Sequence, residues 1–511
     1  MGKLEIITII FTFLTLTVSG GKKNNKTGGY ELKSIYTNPK SLTLEVGEKE
    51  QITAAAVPAV AVFPVFKWVS ADNDITTVNN QGGIEALSEG ETTITVSTAD
   101  ISATVPVKVN PIEQPTCTYS DTIFKITLKG SDCSFADSAV YGVYIPTLKK
   151  SLKGVLVLQH GCGMERFGIT RPYDLQYEAF AQKWNLAVIE TALYGNCRIW
   201  SKPSSGSADA LFEILKETGN KTAHPELNAV PWLLFGHSGG GYWTLAMLKA
   251  YPERIMAAVC YSAAWVTKSW EYPEAAAKVP LFLRHAGAND YPGCQKTAIQ
   301  AFSKLREMDA PVSIAYNKGQ NHNYSYLRYM AIPFYEAVMK QRMPEGKATE
   351  MRNIDHAKTW LGDTLSFQIY KESEYTGNKK RMCLFPDETT AKDWKEYVST
   401  GTVTDKTPPP APFNLEVKWK NNALEVTWEA DADIESGISL FNIYKNGNLI
   451  GKLPGEGIYQ HFDTNGDNTI PVNVPDMKFK ITGTENTKTS IGVETVNNFN
   501  LPSGRAEITY K

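Results

Sequence analysis

The chain has 511 residues, of which 42% are hydrophobic and 21% are charged, and its formal net charge at pH 7 is -2. This composition is ordinary for a globular protein, and the length predicts about three to four domains. A charge balance so close to neutral argues against nucleic acid and against an anionic membrane surface as partners.

The first 20 residues have the pattern of an export signal. Lys3 gives a weakly positive start, and residues 6–18 form a short apolar core that is followed by small residues. We therefore predict a signal peptide at 1–20 and a secreted or cell-envelope protein, because the apolar run is too short to span a membrane. The stretch resembles a bacterial lipoprotein signal, but Gly21 stands where the lipidated cysteine would be, so we expect plain secretion.

Residues 34–110 consist of short alternating runs separated by turn residues, without a helical period. That spacing predicts a small all-β sandwich. The segments SLTLEVGEKEQITA, FKWVSADNDITTV and GIEALSEGETTITVS, in this order, resemble a bacterial immunoglobulin-like group 2 domain. The resemblance implies a spacer or adhesion module without catalysis, and we expect Trp68 to lie in its core.

Strand-like and helix-like stretches alternate over residues 116–345. This alternation predicts βαβ units and a mostly parallel sheet with helices on both faces. The predicted strands are at 123–128, 139–145, 154–158, 186–190, 232–235, 255–261, 280–284 and 312–316. The predicted helices are at 173–184, 208–218, 240–250, 295–308 and 326–341.

Two further segments complete the chain. We interpret residues 346–405 as an extension packed on the α/β domain, with a helix over 390–398. A proline-rich linker follows, and residues 408–511 return to strand-like alternation with a hairpin turn at Asn446-Gly447. This last segment resembles a fibronectin type III domain.

A strand, a tight turn and a helix follow one another around Ser238. The apolar run at 232–235 is followed by Gly236-His-Ser-Gly-Gly and then by apolar residues at helical spacing. Glycines allow a turn sharp enough to lift the serine hydroxyl off the strand end, and the helix N-terminus favours developing negative charge. We therefore predict Ser238 as a nucleophile; the alternative is a glycine-rich turn with a bystander serine.

A serine nucleophile needs a histidine base and an acid, which in this arrangement follow it in the order acid, then histidine. His322 lies in the polar loop after the last predicted strand, where the carboxyl ends of parallel strands gather, so it is the predicted base. His356 is the runner-up. Asp290, a few residues past the strand at 280–284, is the predicted acid, and its alternative role is to cap the next helix.

Two backbone N–H groups are predicted to form an oxyanion hole. One belongs to Gly239, directly after the nucleophile. The other comes from the loop Gln159-His-Gly-Cys-Gly, at Cys162 or Gly163. The aromatic residues Trp265, Tyr291 and Trp243 are the predicted substrate contacts, and packing is the alternative role for each.

The seven cysteines allow disulfides if the protein is exported. Cys117–Cys133 is a local pairing, and Cys162–Cys197 would tie two loops at one sheet edge, although sequence alone does not fix connectivity. We expect a buried free thiol at Cys260. No C-x-x-C motif or His/Cys cluster indicates zinc, so no metal site is predicted.

Residues 116–345 resemble the α/β-hydrolase superfamily. Gln159-His-Gly-Cys-Gly together with Gly236-His-Ser-Gly-Gly resembles the branch of polyhydroxybutyrate depolymerases and feruloyl or acetylxylan esterases. The resemblance implies ester hydrolysis by Ser238, Asp290 and His322 through an acyl-enzyme, without a cofactor. The sequence departs from the branch at Met164-Glu-Arg, where a glutamine is common.

The predicted architecture is multidomain, with a central α/β-hydrolase fold between two all-β immunoglobulin-like sandwiches. The predicted function is a secreted carboxylic ester hydrolase acting on an extracellular ester, such as an acylated polysaccharide or a polyester. The sandwiches would contact a cell surface or polysaccharide. One alternative is a serine peptidase, because amide and ester hydrolysis share the triad; another is a non-catalytic adhesion protein with a vestigial core.

Overall fold

The computed structural model describes residues 34–46, 48–57, 65–98, 101–110, 123–130, 133–146, 151–169, 172, 174–316, 319–323, 325–343, 351–455, 459, 477–482 and 488–510. The predicted signal peptide at 1–20 and Gly21 lie outside these residues. In the described part of the chain, no helix combines the length and the apolar character needed to cross a membrane. The chain divides into two compact units, Met1–Gln114 and Pro115–Lys511.

The described residues of the N-terminal unit form an all-β sandwich. Its strands are β1 (Ser34–Asn38), β2 (Leu42–Glu45), β3 (Lys49–Gln51), β4 (Thr53–Val57), β5 (Lys67–Ser70), β6 (Thr76–Val78), β7 (Gly83–Ala86), β8 (Gly90–Thr98) and β9 (Ile101–Asn110). They form sheets in the orders β2-β9-β8-β5, β3-β7-β6 and β1-β4. Alternate residues such as Ile84, Ile94 and Val105 point into one core, which also contains Trp68 as predicted.

The second unit is built on an eight-stranded sheet, with strands at all eight predicted positions. They are β10 (Ile123–Lys129), β11 (Ser138–Tyr144), β12 (Gly154–Gln159), β13 (Leu186–Tyr194), β14 (Trp232–His237), β15 (Ile255–Tyr261), β16 (Leu281–His285) and β17 (Val312–Tyr316). The sheet order is β10-β11-β13-β12-β14-β15-β16-β17. The first two pairings, β10–β11 and β11–β13, are antiparallel and the others are parallel.

Helices connect these strands and cover the sheet. They are α1 (Leu175–Trp184), α2 (Cys197–Trp200), α3 (Ser207–Thr222), α4 (Gly239–Ala250), α5 (Cys294–Glu307) and α6 (Arg328–Arg342). The short α2 was not predicted. Every residue of β12, β14 and β15 is buried, so both faces of the central sheet are covered, as near-continuous apolar strands require.

The extension after α6 folds as a small α/β layer. It contains β18 (Trp360–Asp363), β19 (Ile369–Lys371), β20 (Met382–Phe385) and the predicted helix, α7 (Glu388–Thr400). It packs along β17, the last strand of the large sheet. The Trp394 Nε1–H donates to the Ile314 carbonyl at 2.8 Å, and the Ser313 hydroxyl donates to the Leu384 carbonyl at 3.0 Å. The extension therefore covers an edge that would otherwise be open to pairing.

The C-terminal segment is a second sandwich within the same unit. Its strands are β21 (Phe413–Lys420), β22 (Ala423–Glu429), β23 (Leu440–Lys445), β24 (Asn448–Leu453), β25 (Lys478–Thr482), β26 (Thr489–Val496) and β27 (Ala506–Tyr510). They form sheets in the orders β21-β22-β25 and β24-β23-β26-β27. Asn446 and Gly447 both have positive φ, as a two-residue hairpin turn needs.

The C-terminal sandwich contacts the α/β domain through α1. Leu175 and Ala179 pack against the sandwich core, and the Gln176 side-chain amide donates to the Ile434 carbonyl at 2.9 Å. The ring of Tyr329 lies 5.5 Å from that of Phe499. This interface lies beside α1 and α6.

Candidate active site

Ser238 occupies a strained turn between β14 and α4. Its φ is 52° and its ψ is -112°, a region that non-glycine residues rarely adopt. The Ser238 N–H donates to the Tyr261 carbonyl at 2.9 Å, and its own carbonyl accepts from the Tyr242 N–H at 3.0 Å. These bonds hold the serine at the carboxyl end of the sheet, at the start of a 12-residue helix.

The glycines beside Ser238 are required by close packing. A Cβ at Gly236 would lie 2.2 Å from Thr244 Oγ1, and a Cβ at Gly240 would lie 2.4 Å from the His160 carbonyl oxygen. Both distances are far below van der Waals contact, so a larger residue at either position would displace the backbone. The sequence motif is therefore explained by the space available around the turn.

The structure brings Ser238, His322 and Asp290 into one hydrogen-bonded line. His322 Nε2 lies 3.0 Å from Ser238 Oγ, and His322 Nδ1 lies 2.5 Å from Asp290 Oδ1. The histidine is 8% exposed. A base within hydrogen-bond reach of a serine, oriented in turn by a carboxylate, is the arrangement that activates a hydroxyl nucleophile. His356, the alternative base, instead pairs with Glu372 at 2.9 Å in the extension.

Asp290 is held as an anion by its neighbours. Burial alone would raise its pKa, but hydrogen bonds from His322 and the Ala286 N–H, the His322 charge and the Ser262 hydroxyl together hold the pKa well below the ordinary range. Asp290 Oδ2 accepts from the Ala286 N–H at 2.8 Å and from Ser262 Oγ at 2.9 Å. An ionised Asp290 keeps the Nδ1–H tautomer of His322, with Nε2 facing the serine.

The loop predicted to supply an oxyanion donor packs directly on the start of α4. A Cβ at Gly239 would lie 2.6 Å from Cys162 Sγ and 3.5 Å from the Cys162 nitrogen. Gly239 opens the helix, so its N–H has no intrahelical acceptor. The Gly163 N–H faces the Glu165 carboxyl. Burial raises the pKa of this carboxyl, and the hydrogen bond from Gly163 lowers it. That orientation leaves the Cys162 N–H as the candidate donor from the loop.

A disulfide fixes this loop. Cys162 and Cys197 are bonded, with their Cα atoms 5.4 Å apart, so the predicted tie between the two loops is confirmed. Cys133 is a buried free thiol; its predicted partner, Cys117, lies outside the described residues. Cys133 packs into the α/β core, where a thiol behaves as a small apolar group. Cys260 is buried and free, as predicted.

The three predicted substrate contacts differ in their exposure to solvent. Tyr291 is 64% exposed, and its ring centre lies 4.1 Å from that of His322. Trp265 is half-buried, with the Arg198 guanidinium 4.7 Å above its ring. Trp243 as a substrate contact is wrong: it is 2% exposed, and its Nε1–H donates to Ser207 Oγ at 3.1 Å within the core.

Helix geometry explains the error at Trp243. Tyr242 is four residues after Ser238 and lies on the same helix face, whereas Trp243 is five residues away and lies about 140° round the helix. Tyr242 is half-buried and contacts Trp265, with ring centres 5.7 Å apart. The spacing of four residues from Ser238 indicates that Tyr242 lies on the same helix face. This spacing predicts the contact only when the first residue of the helix is known.

Other residues that position the site were missed. The Nε2–H of His237, the central residue between Gly236 and Ser238, donates to the His322 carbonyl at 3.0 Å and steadies the base loop. Burial lowers the pKa of His237 well below its ordinary value, so this imidazole is neutral. The Ser262 hydroxyl donates to Asp290, and Arg284 donates to Ser262. The sequence carries no local signal for these contacts, because each joins separate strands or loops.

Asp290, Cys294 and His322 have potential metal-ligand atoms within 4.8 Å of one another. Hydrogen bonds already join these atoms to protein groups. His322 and Asp290 bond directly at 2.5 Å, and the Cys294 thiol donates to the Ser262 carbonyl at 3.0 Å. The geometry fits a triad and its support better than a coordination sphere, whose ligands would stand apart around an ion.

Comparison with known proteins identifies the N-terminal sandwich. Residues 31–109 match the bacterial Ig-like domain (group 2), which confirms the predicted resemblance. No curated protein matches the chain.

Several solved structures similar to this chain at low identity are hydrolases or esterases. Poly(aspartic acid) hydrolase-1 from Sphingomonas sp. KT-1 is 14% identical, over 39% of this chain and 93% of that chain, with a TM-score of 0.29. A thermostable esterase is 14% identical, over 49% and 81%, with a TM-score of 0.31. An α/β hydrolase from a Medee basin deep-sea metagenome library is 16% identical, over 40% and 84%, with a TM-score of 0.30. Similarity at this level carries no argument about the reaction.

Proposed function

We propose that this protein is a serine-dependent carboxylic ester hydrolase. The observation that carries the proposal is the line from Ser238 Oγ to His322 Nε2, 3.0 Å, and from His322 Nδ1 to Asp290 Oδ1, 2.5 Å. The strained turn at Ser238 and the helix start behind it add the features that a nucleophile elbow needs. A bystander serine would require none of these.

The proposed reaction proceeds through an acyl-enzyme. Ser238 Oγ attacks the ester carbonyl while His322 Nε2 takes its proton, and the N–H groups of Gly239 and Cys162 stabilise the oxyanion. His322 then protonates the leaving alcohol as the carbon–oxygen bond of the ester breaks. Water, deprotonated by His322, attacks the acyl carbon, and the released acid restores Ser238. Asp290 keeps the imidazole oriented and stabilises its protonated form.

The proposed substrate is an extracellular ester carried on a polymer or surface. Exposed Tyr291 and half-buried Trp265 offer aromatic surface to an acyl or leaving group. Secretion is proposed on the apolar leader at 6–18, and the Ig-like domain suits a protein that works at a surface. The fibronectin type III-like sandwich at 408–511 is proposed as a second accessory module that contacts polysaccharide or the cell surface.

The test is hydrolysis of p-nitrophenyl esters from acetate to octanoate by wild type and by Ser238→Ala, with methyl ferulate and a peptide p-nitroanilide alongside. We expect ester turnover that falls by about 10³-fold or more in the variant. The chain-length profile then measures the acyl pocket. Preferential anilide cleavage would replace the esterase with a peptidase. Turnover that Ser238→Ala leaves unchanged, or no turnover of any substrate, would reject the proposal in favour of a binding protein.

A further inference from the structure

Arg284 is a fully buried arginine directly beneath the triad. It lies on β16 with 0% exposure, and its guanidinium donates to groups on two other segments. One Nη donates to Ser262 Oγ at 2.9 Å. Nε and the other Nη donate to Gln320 Oε1 at 3.1 and 3.0 Å, and that Nη also donates to the Asn321 carbonyl at 2.9 Å.

These bonds reach both the acid and the base of the triad. The Ser262 hydroxyl accepts from Arg284 and donates to Asp290 Oδ2 at 2.9 Å. Ser262 therefore links the cation to the carboxylate. Asn321 immediately precedes His322, so its carbonyl fixes the backbone that carries the base. One side chain therefore holds two elements whose relative position decides whether His322 can face Ser238.

The same network extends to the segment after α6. The Gln320 side-chain amide donates to the Ser325 carbonyl and to the Gly401 carbonyl, each at 2.7 Å. The Tyr397 hydroxyl, on α7, donates to the Ser325 carbonyl at 2.5 Å. The extension therefore hydrogen-bonds the same Gln320 side chain that Arg284 contacts. The extension has this role in the site although it contributes no triad residue.

The titratable groups that surround this network are neutral near pH 7. Burial lowers the pKa of His237 on β14 well below its usual value, and that of His285 on β16 to about 4. Burial raises the pKa of the Cys294 thiol on α5 and of the Tyr397 hydroxyl on α7. Arg284 and Asp290 are therefore the charges that His322 meets when it takes a proton.

We propose that Arg284 is a positioning residue of the triad, which acts through Ser262 on Asp290 and through the Asn321 carbonyl on His322. This inference rests on the proposed function, since it concerns how the same base is held. Loss of Arg284 should therefore loosen the positions of both the acid and the base.

The measurement is the rate at which a fluorophosphonate with a fluorescent tag labels Ser238, followed from pH 5 to pH 9. This rate reports activation of the serine by His322 and does not depend on the natural substrate. Labelling of wild type but not of Ser238→Ala supports the proposed function. Absence of labelling in wild type would overturn the proposed function and this inference together.

For Arg284→Met we expect labelling about 10- to 100-fold slower, as when a supporting residue is lost. Arg284→Lys keeps a buried cationic donor and should recover part of the labelling rate, whereas a side chain that only filled space would be replaced equally well by Met. A wild-type labelling rate per folded molecule in Arg284→Met would overturn the inference.

Two further variants separate positioning from general stability. Arg306→Met removes another buried arginine, which is 2% exposed and bonds the backbone carbonyls of Met382, Ala310 and Lys379. It should lower the unfolding temperature and leave the labelling rate per folded molecule unchanged. Ser262→Ala breaks the link to Asp290 without removing the cation, and should slow labelling about 3- to 10-fold, the effect of one hydrogen bond. If Arg284→Met does not fold, a wild-type rate in Ser262→Ala overturns the inference.

Discussion

The ring of Tyr291 lies over the imidazole of His322, with 4.1 Å between their centres and 50° between their planes. Most of the tyrosine is exposed, yet its backbone N–H donates to Asp290 Oδ1 at 3.0 Å, so the main chain of this residue supports the acid while its side chain covers the base. The side chain can therefore be changed without removing the bond to Asp290.

For Tyr291→Ala we expect KM for an aryl ester to rise about 3- to 10-fold, because the ring supplies contact area beside the reacting carbonyl. The value of kcat should change less, since the backbone bond to Asp290 remains. Steady-state kinetics with p-nitrophenyl butyrate measures both constants, and Tyr291→Phe is the matched control. A variant in which kcat collapses while KM stays constant would show that the ring acts on the base and not on substrate.

Trp265 and Trp243 provide a paired comparison of an open and a buried tryptophan. The Trp265 ring contacts the Arg198 guanidinium and the ring of Tyr242. Trp265→Ala should raise KM about 3- to 10-fold, because it removes this aromatic surface from the predicted substrate contacts. Trp243→Phe should leave KM unchanged and destabilise the fold by about 1 to 3 kcal/mol, through a cavity and the lost bond to Ser207. Kinetics and thermal unfolding of both variants test the assignment. The reverse pattern would return Trp243 to the substrate site.

The Cys162–Cys197 disulfide should matter for turnover as well as for stability. It closes a separation of 35 residues, which corresponds to roughly 3 to 4 kcal/mol of unfolding free energy. Cys197→Ser should also lower kcat about 10-fold with little change in KM, because the Cys162 N–H becomes poorly held and an oxyanion donor acts mainly in the transition state. Cys133→Ser, at a buried free thiol, is the control and should retain kcat. Equal kcat in the Cys197→Ser variant and in wild type would remove the loop from the oxyanion hole.

Two buried carboxyls join the extension to the C-terminal sandwich and should make this junction sensitive to pH. Asp405 Oδ2 accepts from Ser436 Oγ at 2.7 Å and from the Asn497 amide at 2.8 Å, and the same amide donates to Asp433 Oδ2 at 3.0 Å. Burial raises the pKa of Asp433, and the neighbouring carboxyls of Glu435 and Asp405 raise it further. The folded protein therefore holds a proton that the unfolded chain releases above about pH 4.

This raised pKa means that the stabilising effect is complete below about pH 4 and is lost as pH rises through the folded-state value. Asp433→Asn keeps a neutral side chain at every pH, so it should match wild type near pH 3.5 and exceed its stability at pH 9 by about 1 to 3 kcal/mol. Calorimetry of the C-terminal transition at both pH values measures this difference. Glu429→Gln, at an exposed carboxyl four residues earlier in the chain, is the control and should follow wild type. Parallel pH dependence in Asp433→Asn and wild type would contradict the assignment.

Much of the fold follows from patterns that are local in sequence. Buried parallel strands such as β12 and β14 appear as continuous apolar runs, because both of their faces meet other side chains. The need for Gly236 is also local, because atoms of Gly240 and Thr244 leave no room for a Cβ there. Asp290 and His322 could be proposed as acid and base because the carboxyl ends of parallel strands share one edge of a sheet.

Contacts between distant segments could not be read in the same way. The apolar start of β16 does not predict that Arg284, near the carboxyl end of this strand, would find acceptors on the loops of Ser262 and Gln320, 22 and 36 residues away. Cys133 could have paired with its near neighbour in sequence, and its free thiol follows from how the α/β core packs.

The sequence by itself determined the order of strands and helices, the elbow at Ser238 and the identity of His322 and Asp290 as candidates, because periodicity and turn chemistry act over a few residues. Only the tertiary structure decided that Tyr242 and not Trp243 stays partly exposed beside Trp265, that Arg284 lies beneath the triad, and that the extension bonds the base loop through Gln320. These outcomes depend on contacts that form only when the chain has folded. Each contact joins residues that are far apart in the sequence.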